Sequence, residues 1–366
     1  MINIDSPTTK VTKKKFIPSH IQIETVNRMC NARCTMCPIK FVPDWEVEAK
    51  DELSYNGVSR RPQIMTLENF KTIAAKFGSY TKYIRFLSLH GCGEPLLDKS
   101  LSEKIAFAKK VGFTEVGFTS NCSPLTPKIS KKLLEAGLNC IIPSIDGFTK
   151  DVQETIRPRT KFEDVYYNVK EFIKIRDEGN YDCKVLIRMI KQQLNHNQWD
   201  EYFDYWSKIL TPSKGDSVLQ IDIHNWGEKI PDYDNKRVDG YDDKISSFVE
   251  TLNLKDASNT EAITKALNSN EEYICVKSKD LEDSSLCPDL FSRLSIFASG
   301  DVGLCCVDTA GYFDLGNVLN QNPIDVFNNK NFIHYRDKWL KREPGDLDYC
   351  KDCTTAISRF NKNYTS

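Results

Sequence analysis

Residues 19–38, SHIQIETVNRMCNARCTMCP, decide how this chain is read. Over 19–27 apolar and polar residues alternate, the period of a strand with two unlike faces, and the run ends directly before Cys30. A strand that delivers a cysteine loop to its C-terminal end puts that loop on the side where α/β folds carry their chemistry. Cys30, Cys34 and Cys37 stand as C-x3-C-x2-C. Three thiolates on one short loop can bind three irons of a 4Fe–4S cluster and leave the fourth iron open to a substrate or cofactor. The competing reading is a zinc knuckle. A closed zinc site takes four ligands, and no fourth Cys or His lies close in sequence, His20 being on the preceding strand.

Outward from this loop the pattern becomes repetitive. After a polar stretch at 44–63, Thr66 with Glu68 and Asn69 opens an amphipathic run to Phe77 that predicts a helix, followed by a strand at 83–89. Helices are expected at 100–111, 127–136, 162–176 and 198–208, alternating with strands at 115–119, 140–144, 184–190 and 217–224. Repeated βα units require a parallel sheet with right-handed crossovers. Six such units predict an α/β fold, a partial (β/α)6 TIM-like barrel, with a small C-terminal β-hairpin plus helix. The hairpin is read from RLSIF at 293–297, a turn at 298–301 and VGLCCV at 302–307, followed by a helix at 324–340 and then Cys350 and Cys353. Between them the pattern breaks near Trp226 into the polar PDYDNKRVDGYDD and helical segments running to about 285. The expected division is an arm at 1–18, the barrel at 19–226, a linker or insertion at 227–285 and a cysteine-bearing domain at 286–366.

The charge balance, 50 Lys and Arg against 51 Asp and Glu, gives no electrostatic reason to expect nucleic acid or a membrane as partner. The run Lys10, Lys13, Lys14, Lys15 reads as a solvated lead-in. No stretch approaches the roughly 18–20 apolar residues of a membrane span, and the N-terminal MINIDSPTTK lacks the apolar core of a signal peptide, so a cytoplasmic location is expected. Thirteen cysteines in that compartment point to metal or catalytic roles rather than disulfides.

With CNARCTMCP at 30–38 and LHGCGEPLL at 89–97, the sequence resembles the radical S-adenosylmethionine (SAM) superfamily. The resemblance implies reductive cleavage of SAM to a 5'-deoxyadenosyl radical. It implies that Gly93, Glu94 and Pro95 meet the SAM amino group, and that Thr119, Ser120, Asn121, Ser144 and Arg188 line its ribose and carboxylate. Met36 stands before the third cysteine, where the family often has an aromatic residue against the adenine. The plainer readings are an ordinary turn for Ser144 and Asp146 and a strand-end ion-pair partner for Arg188.

Cys287, Cys305, Cys350 and Cys353 could close a second cluster or a structural zinc site, and their spacing does not choose between them. The stretch CPDLFSRLSIFASGDVGLCCVD, then LGNV and YCKDC, resembles the SPASM and twitch extensions of radical SAM enzymes. That resemblance implies an auxiliary 4Fe–4S cluster, and four cysteines match the shorter twitch form, as in the aminocyclitol dehydrogenase type of butirosin biosynthesis. Cys305 takes the ligand position and Cys306 is its alternative.

The function expected is a radical SAM oxidoreductase that takes hydrogen from a small polar substrate, a sugar, aminocyclitol or related alcohol, with the auxiliary cluster accepting an electron. The alternatives are a peptide-modifying radical SAM enzyme and, more remotely, a non-catalytic zinc or redox protein. A small molecule or peptide is the expected substrate, and a flavodoxin or ferredoxin the expected reductant. Cys92, His90 and His224 are the catalytic candidates, Cys92 as a hydrogen-atom donor or else a small packed residue, the histidines as bases at strand ends or else structural. Asp222, Asn225 and Trp226 share that edge as candidate substrate contacts, and Cys122, Cys140, Cys183 and Cys275 read as buried small residues.

Overall fold

Among the described residues the first strand is β1 (Lys15–Pro18), followed by β2 (His20–Ile23), whose Ile21 and Ile23 are fully buried. The structure is a computed structural model that describes residues 15–41, 60–226, 230, 232–238, 273–276, 286–341, 343, 347, 350 and 353. The 19–27 run is not one strand. After Ile23 the chain changes partner, and β3 (Val26–Asn27) pairs antiparallel with β4 (Gln63–Ile64). The change falls at Glu24, whose side chain is drawn inward by Arg60 and by the backbone N–H groups of Cys92 and Ala298.

The expected βα alternation then follows. α1 (Leu67–Ala75) is capped by Thr66, whose hydroxyl accepts the N–H of Asn69 at 3.1 Å, and buries Phe70, Ile73 and Ala74. β5 (Phe86–Ser88), α2 (Leu101–Val111), β6 (Val116–Ser120), α3 (Pro127–Glu135) and β7 (Cys140–Pro143) continue the series. α2 stops at Gly112, which takes the left-handed φ of 112° that a Cβ would resist. Next come α4 (Lys150–Ile156), α5 (Phe162–Glu178), β8 (Lys184–Lys191), α6 (Trp199–Ser207) and β9 (Ser217–Asp222). α4 is a short extra helix with Thr149 at its N-cap position, no side-chain cap bond and Asp151 in its first turn.

Strands β2, β5, β6, β7, β8 and β9 lie side by side in chain order, and every neighbouring pair is parallel. The helices cover the outside with a continuous core that includes Leu87, Phe118, Phe172, Ile187 and Trp206. Each large apolar side chain buried there contributes about 1.5–3 kcal/mol. This is the parallel α/β sheet of a partial TIM-type barrel.

The remaining elements attach to this sheet. α7 (Tyr233–Lys236) and β10 (Tyr273–Val276) lie within 227–285, and β10 pairs parallel with β1, tying the stretch before the barrel to the connection after it. The other helical segments expected there, and Lys10, Lys13 and Lys14, fall outside the described residues. α8 (Pro288–Ser292) leads into β11 (Arg293–Ile296), which pairs antiparallel with β12 (Val302–Gly303) and parallel with β2, Arg293 opposite His20 and Ser295 opposite Gln22. The C-terminal hairpin is therefore joined to the barrel sheet across its first strand.

β12 is shorter than VGLCCV because the N–H of Leu304 turns to the Asp308 carboxylate at 3.1 Å. The helix expected at 324–340 is two helices, α9 (Pro323–Phe327) and α10 (Lys330–Leu340). Asn329 breaks it by accepting the N–H groups of Asn331 and Phe332 on its own side chain, a local bond that competes with the helical ladder. Among the described residues no helix is long and apolar enough to cross a membrane.

Candidate active site

The cysteine loop is held by backbone bonds on both sides. Arg28 takes a left-handed φ of 59°, and the carbonyl of Met29 accepts the N–H of Glu94 at 2.9 Å, docking the loop on the GCGEP turn. Arg33 and Thr35 donate their N–H groups to the carbonyls of Pro158 and Ile156 at 3.0 and 2.9 Å, docking it on the turn after α4. Cys30, Cys34 and Cys37 pack in one cluster with Ala32, Met36, Ile156 and Ile223. N–H donors reach all three sulfurs: Ala32 N and Asn121 Nδ2 to Cys30 Sγ at 3.4 and 3.8 Å, Arg157 Nη1 to Cys34 Sγ at 3.4 Å, and the backbone of Ile39 to Cys37.

Burial pushes the Cys30 thiol up to about 12 and raises Cys34 and Cys37 as well, while Arg157 pulls Cys34 the other way. Coordination to metal reverses that preference and holds such groups as thiolates. Among the described residues no three His, Cys, Asp or Glu side chains are disposed to hold a single metal ion. Three soft thiols on one loop, each free to take its own iron and met by N–H donors, fit an iron–sulfur cluster.

The GCGEP turn approaches β3 so closely that a Cβ on Gly93 would stand 2.3 Å from the Val26 carbonyl oxygen. That approach delivers Glu94, fully enclosed, to the end of β6. Its Oε1 accepts Ser120 Oγ at 2.7 Å and Leu96 N at 3.1 Å, and its Oε2 accepts Asn121 N at 2.9 Å. Burial raises the Glu94 carboxyl, and these bonds oppose the rise. Pro95 opens the short turn of 3-10 helix that follows.

Thr119 Oγ1 is buried without a hydrogen-bond partner. Ser144 Oγ accepts Arg188 Nη2 at 2.8 Å, and burial lowers Arg188 to about 10. Asp146, two residues past Ser144, binds Arg157 Nε at 2.7 Å and so aims that guanidinium at Cys34. Met36 is buried, and its carbonyl accepts Trp226 Nε1 at 3.1 Å.

A cavity of about 180 Å³ lies between the GCGEP turn and the C-terminal hairpin. Glu24, Arg60, His90, Cys92, Trp226 and Arg293 line it together with Cys305, Cys306, Asp308 and Thr309. Glu24 anchors its wall. It pairs with the Arg60 guanidinium and accepts Cys92 N at 2.9 Å and Ala298 N at 3.1 Å. Arg60 in turn lies 3.8 Å over the Phe297 ring and donates to the Thr309 carbonyl at 3.0 Å.

His90 Nδ1, Ser295 Oγ and Thr309 Oγ1 are buried there without a hydrogen-bond partner. Burial, reinforced by Arg188 and Arg293, pushes His90 down to about 3, so its ring is neutral. Glu24, Arg60, Arg157 and Arg293 were missed by sequence reading. Glu24 carried one signal: strands of a parallel barrel are covered on the outside, so a carboxylate on the polar face points to the interior rather than to solvent.

The C-terminal thiols converge from separate segments. Cys287 caps α8 and interacts with Cys350 and Cys353, and also with Cys305 and Cys306 beyond β12. Asp289 organises this end, accepting Cys306 N at 3.1 Å and pairing with Arg293 at 3.2 Å. Burial raises all these thiols for which a shift is resolved, Cys350 to about 11.

His224 does not line the cavity as described: its Nδ1 accepts Trp226 N at 2.8 Å and its Nε2 stands 3.9 Å from Cys353 Sγ. Asp222 pairs with Lys191 at 3.2 Å, and Asn225 is buried. Cys122, Cys140 and Cys183 are buried in the core and Cys275 is half-buried.

A parallel partial barrel with this cysteine loop beside a buried GEP glutamate defines a radical SAM protein. Residues 25–195 match the radical SAM superfamily as a domain, and residues 287–354 match the SPASM iron–sulfur cluster-binding domain. Its cofactors are accordingly SAM, a 4Fe–4S cluster and auxiliary iron–sulfur chemistry.

Among individual proteins, it is 30% identical over 141 residues to GTP 3',8-cyclase of Chlorobaculum tepidum, covering 38% of this chain and 37% of that protein. The Aliarcobacter butzleri GTP 3',8-cyclase is 28% identical over 161 residues, covering 43% and 44%. The chain thus spans about two fifths of the length of the curated relatives it matches. The fold is similar to that of BtrN in complex with AdoMet and 2-DOIA, at a TM-score of 0.53 and 16% identity over 93% of this chain and 94% of that one. It is also similar to Streptococcus suis SuiB bound to precursor peptide SuiA, at a TM-score of 0.61 and 12% identity over 95% and 72%.

Proposed function

We propose that this protein is a radical SAM oxidoreductase that removes hydrogen from a small polar substrate such as a sugar, aminocyclitol or related alcohol. One observation carries the reading: the cavity has Cys305 and Cys306 on one side and, on the other, the GCGEP turn on which the first cysteine loop docks. Cys30, Cys34 and Cys37 would hold the SAM cluster, and Cys287, Cys305, Cys350 and Cys353 the auxiliary one. When bound, these groups supply a hydrogen-abstracting 5'-deoxyadenosyl radical and a place for one electron.

The protein's own residues do the rest. Glu94, with Ser120 and Asn121, presents a buried carboxylate for the SAM amino group, while Ser144 and Arg188 offer a hydroxyl and a cation for its ribose and carboxylate. Among the charged residues lining the cavity, Glu24 pairs with Arg60, Arg293 pairs with Asp289 behind it, and the Asp308 carboxylate accepts the N–H groups of Leu304 and Tyr312. Three neutral lining atoms, His90 Nδ1, Ser295 Oγ and Thr309 Oγ1, are buried without a hydrogen-bond partner and suit hydroxyls. At about 180 Å³ the space is below the roughly 300–1,000 Å³ usual for drug-sized ligands, which favours a small molecule over a peptide segment. A flavodoxin or ferredoxin in the cytoplasm is the proposed electron source.

A peptide-modifying activity is the second reading, favoured by the similarity to SuiB bound to its precursor peptide. The test incubates the reconstituted protein with SAM and dithionite and with panels of polyols and aminocyclitols, peptides, and GTP. SAM consumption coupled to a polyol product lighter by two hydrogen atoms is expected. Coupled turnover confined to peptides or GTP would overturn the proposal.

A further inference from the structure

We infer that His224 is a positioning residue for the C-terminal cysteine site, donating its ring N–H to Cys353 and thereby setting the reduction potential of the iron–sulfur centre held there. The inference rests on the reading of Cys353 as a ligand of that centre.

The argument starts from Trp226. It is a bulky residue held at a φ of 55°, in the left-handed region that glycine fills at little cost. Two bonds hold it there: its backbone N–H reaches His224 Nδ1 at 2.8 Å, and its indole N–H reaches the Met36 carbonyl at 3.1 Å. The first of these bonds decides the imidazole's state. A nitrogen that accepts a backbone N–H carries no proton, so the ring proton sits on Nε2, the atom 3.9 Å from Cys353 Sγ and within reach of a sulfur acceptor. His224 thus has a donor aimed at a cysteine of the second site, with its orientation set by a residue bound to the loop of the first.

Met36 lies between Cys34 and Cys37, so one chain of bonds runs from the first cysteine loop through Trp226 and His224 to Cys353. A donor on a ligand thiolate stabilises the more negative, reduced state and raises the potential. Removing it lowers the potential without removing a ligand.

The measurement is an EPR-monitored redox titration of the full-length, anaerobically reconstituted chain carrying Cys30→Ala, Cys34→Ala and Cys37→Ala, so that only the C-terminal centre is read. Iron per chain is measured on every sample. In that background His224→Phe is expected to shift the midpoint potential downward at unchanged iron content, and His224→Gln, which restores an amide donor at similar reach, is expected to return it towards the parent value. Loss of iron in the Phe variant with retention in the Gln variant supports the same conclusion, because a donor is then what the site requires. An unchanged potential in the Phe variant overturns the inference, as does loss of iron in both. A parent chain that binds no iron fails for a different reason, since it removes the assignment of Cys353 as a ligand.

Discussion

The loop of residues 30–37 and the C-terminal thiol site solve the same problem with opposite means. In the first, three cysteines sit within one short stretch, and the fold has only to dock that stretch through the carbonyls of Ile156 and Pro158 and the N–H of Glu94. In the second, Cys287, Cys305, Cys350 and Cys353 come from distant segments and meet because β11 joins β2, Asp289 bonds Cys306 N, and Arg336 Nε donates to the Leu290 carbonyl at 2.7 Å to pin α8 against α10. The electrostatics differ too. A cation, Arg157, stands on the loop's Cys34, whereas a carboxylate, Asp289, bonds the backbone of Cys306 and raises its thiol, with Arg293 opposing it. A locally encoded site tolerates damage elsewhere in the chain. A site assembled by tertiary structure does not.

The largest effect expected from breaking this comparison comes from removing the local set. The Cys30→Ala, Cys34→Ala, Cys37→Ala variant should lose SAM cleavage, with iron falling from about eight to about four per chain and the C-terminal centre intact. Iron and sulfide analysis with a 5'-deoxyadenosine assay checks both halves. If the remaining iron is lost as well, the two sites are not independent.

A smaller effect belongs to Glu24, which ties the GCGEP turn, Arg60 and the hairpin turn together and is almost wholly buried. Replacing it by alanine leaves Arg60 charged and largely buried with its carboxylate partner gone, a change that costs about 3–5 kcal/mol. Denaturant unfolding measures the loss. The C-terminal iron should become labile before the loop iron, since Ala298 belongs to the hairpin that carries Cys305 and Cys306.

The smallest effect is a pH slope. His90 is pushed down to about 3 in the folded chain from an ordinary value of 6.5, so between these values the unfolded chain binds more protons. Its contribution to stability is full above about pH 6.5 and is lost progressively as pH falls toward 3. His90→Gln should flatten part of that slope in denaturant midpoints taken at a series of pH values. His20, lowered in the same direction by burial, keeps the rest.

Much of the architecture was legible because parallel βα units write their period into the chain. The strands expected at 115–119, 140–144, 184–190 and 217–224 all appear within a few residues. C-x3-C-x2-C and GEP are contiguous, so their residue types and spacing survive without three-dimensional information. Less legible were features decided by competition between bonds. Asn329 looks like any polar helix residue until its side chain takes the N–H groups of Asn331 and Phe332. Arg60 looked like part of a polar stretch until it met Glu24 and Phe297.

By itself the sequence determined the six-stranded parallel order, the cysteine loop that follows the first barrel strand, and the GEP turn, since each depends on contacts between near neighbours in the chain. Only the tertiary structure decided that the hairpin extends the barrel sheet, that a cavity opens between the GCGEP turn and that hairpin, and that His224 turns toward Cys353 rather than into that cavity. Those outcomes depend on which buried polar groups find partners across hundreds of residues, and such pairings leave no periodic trace in the chain.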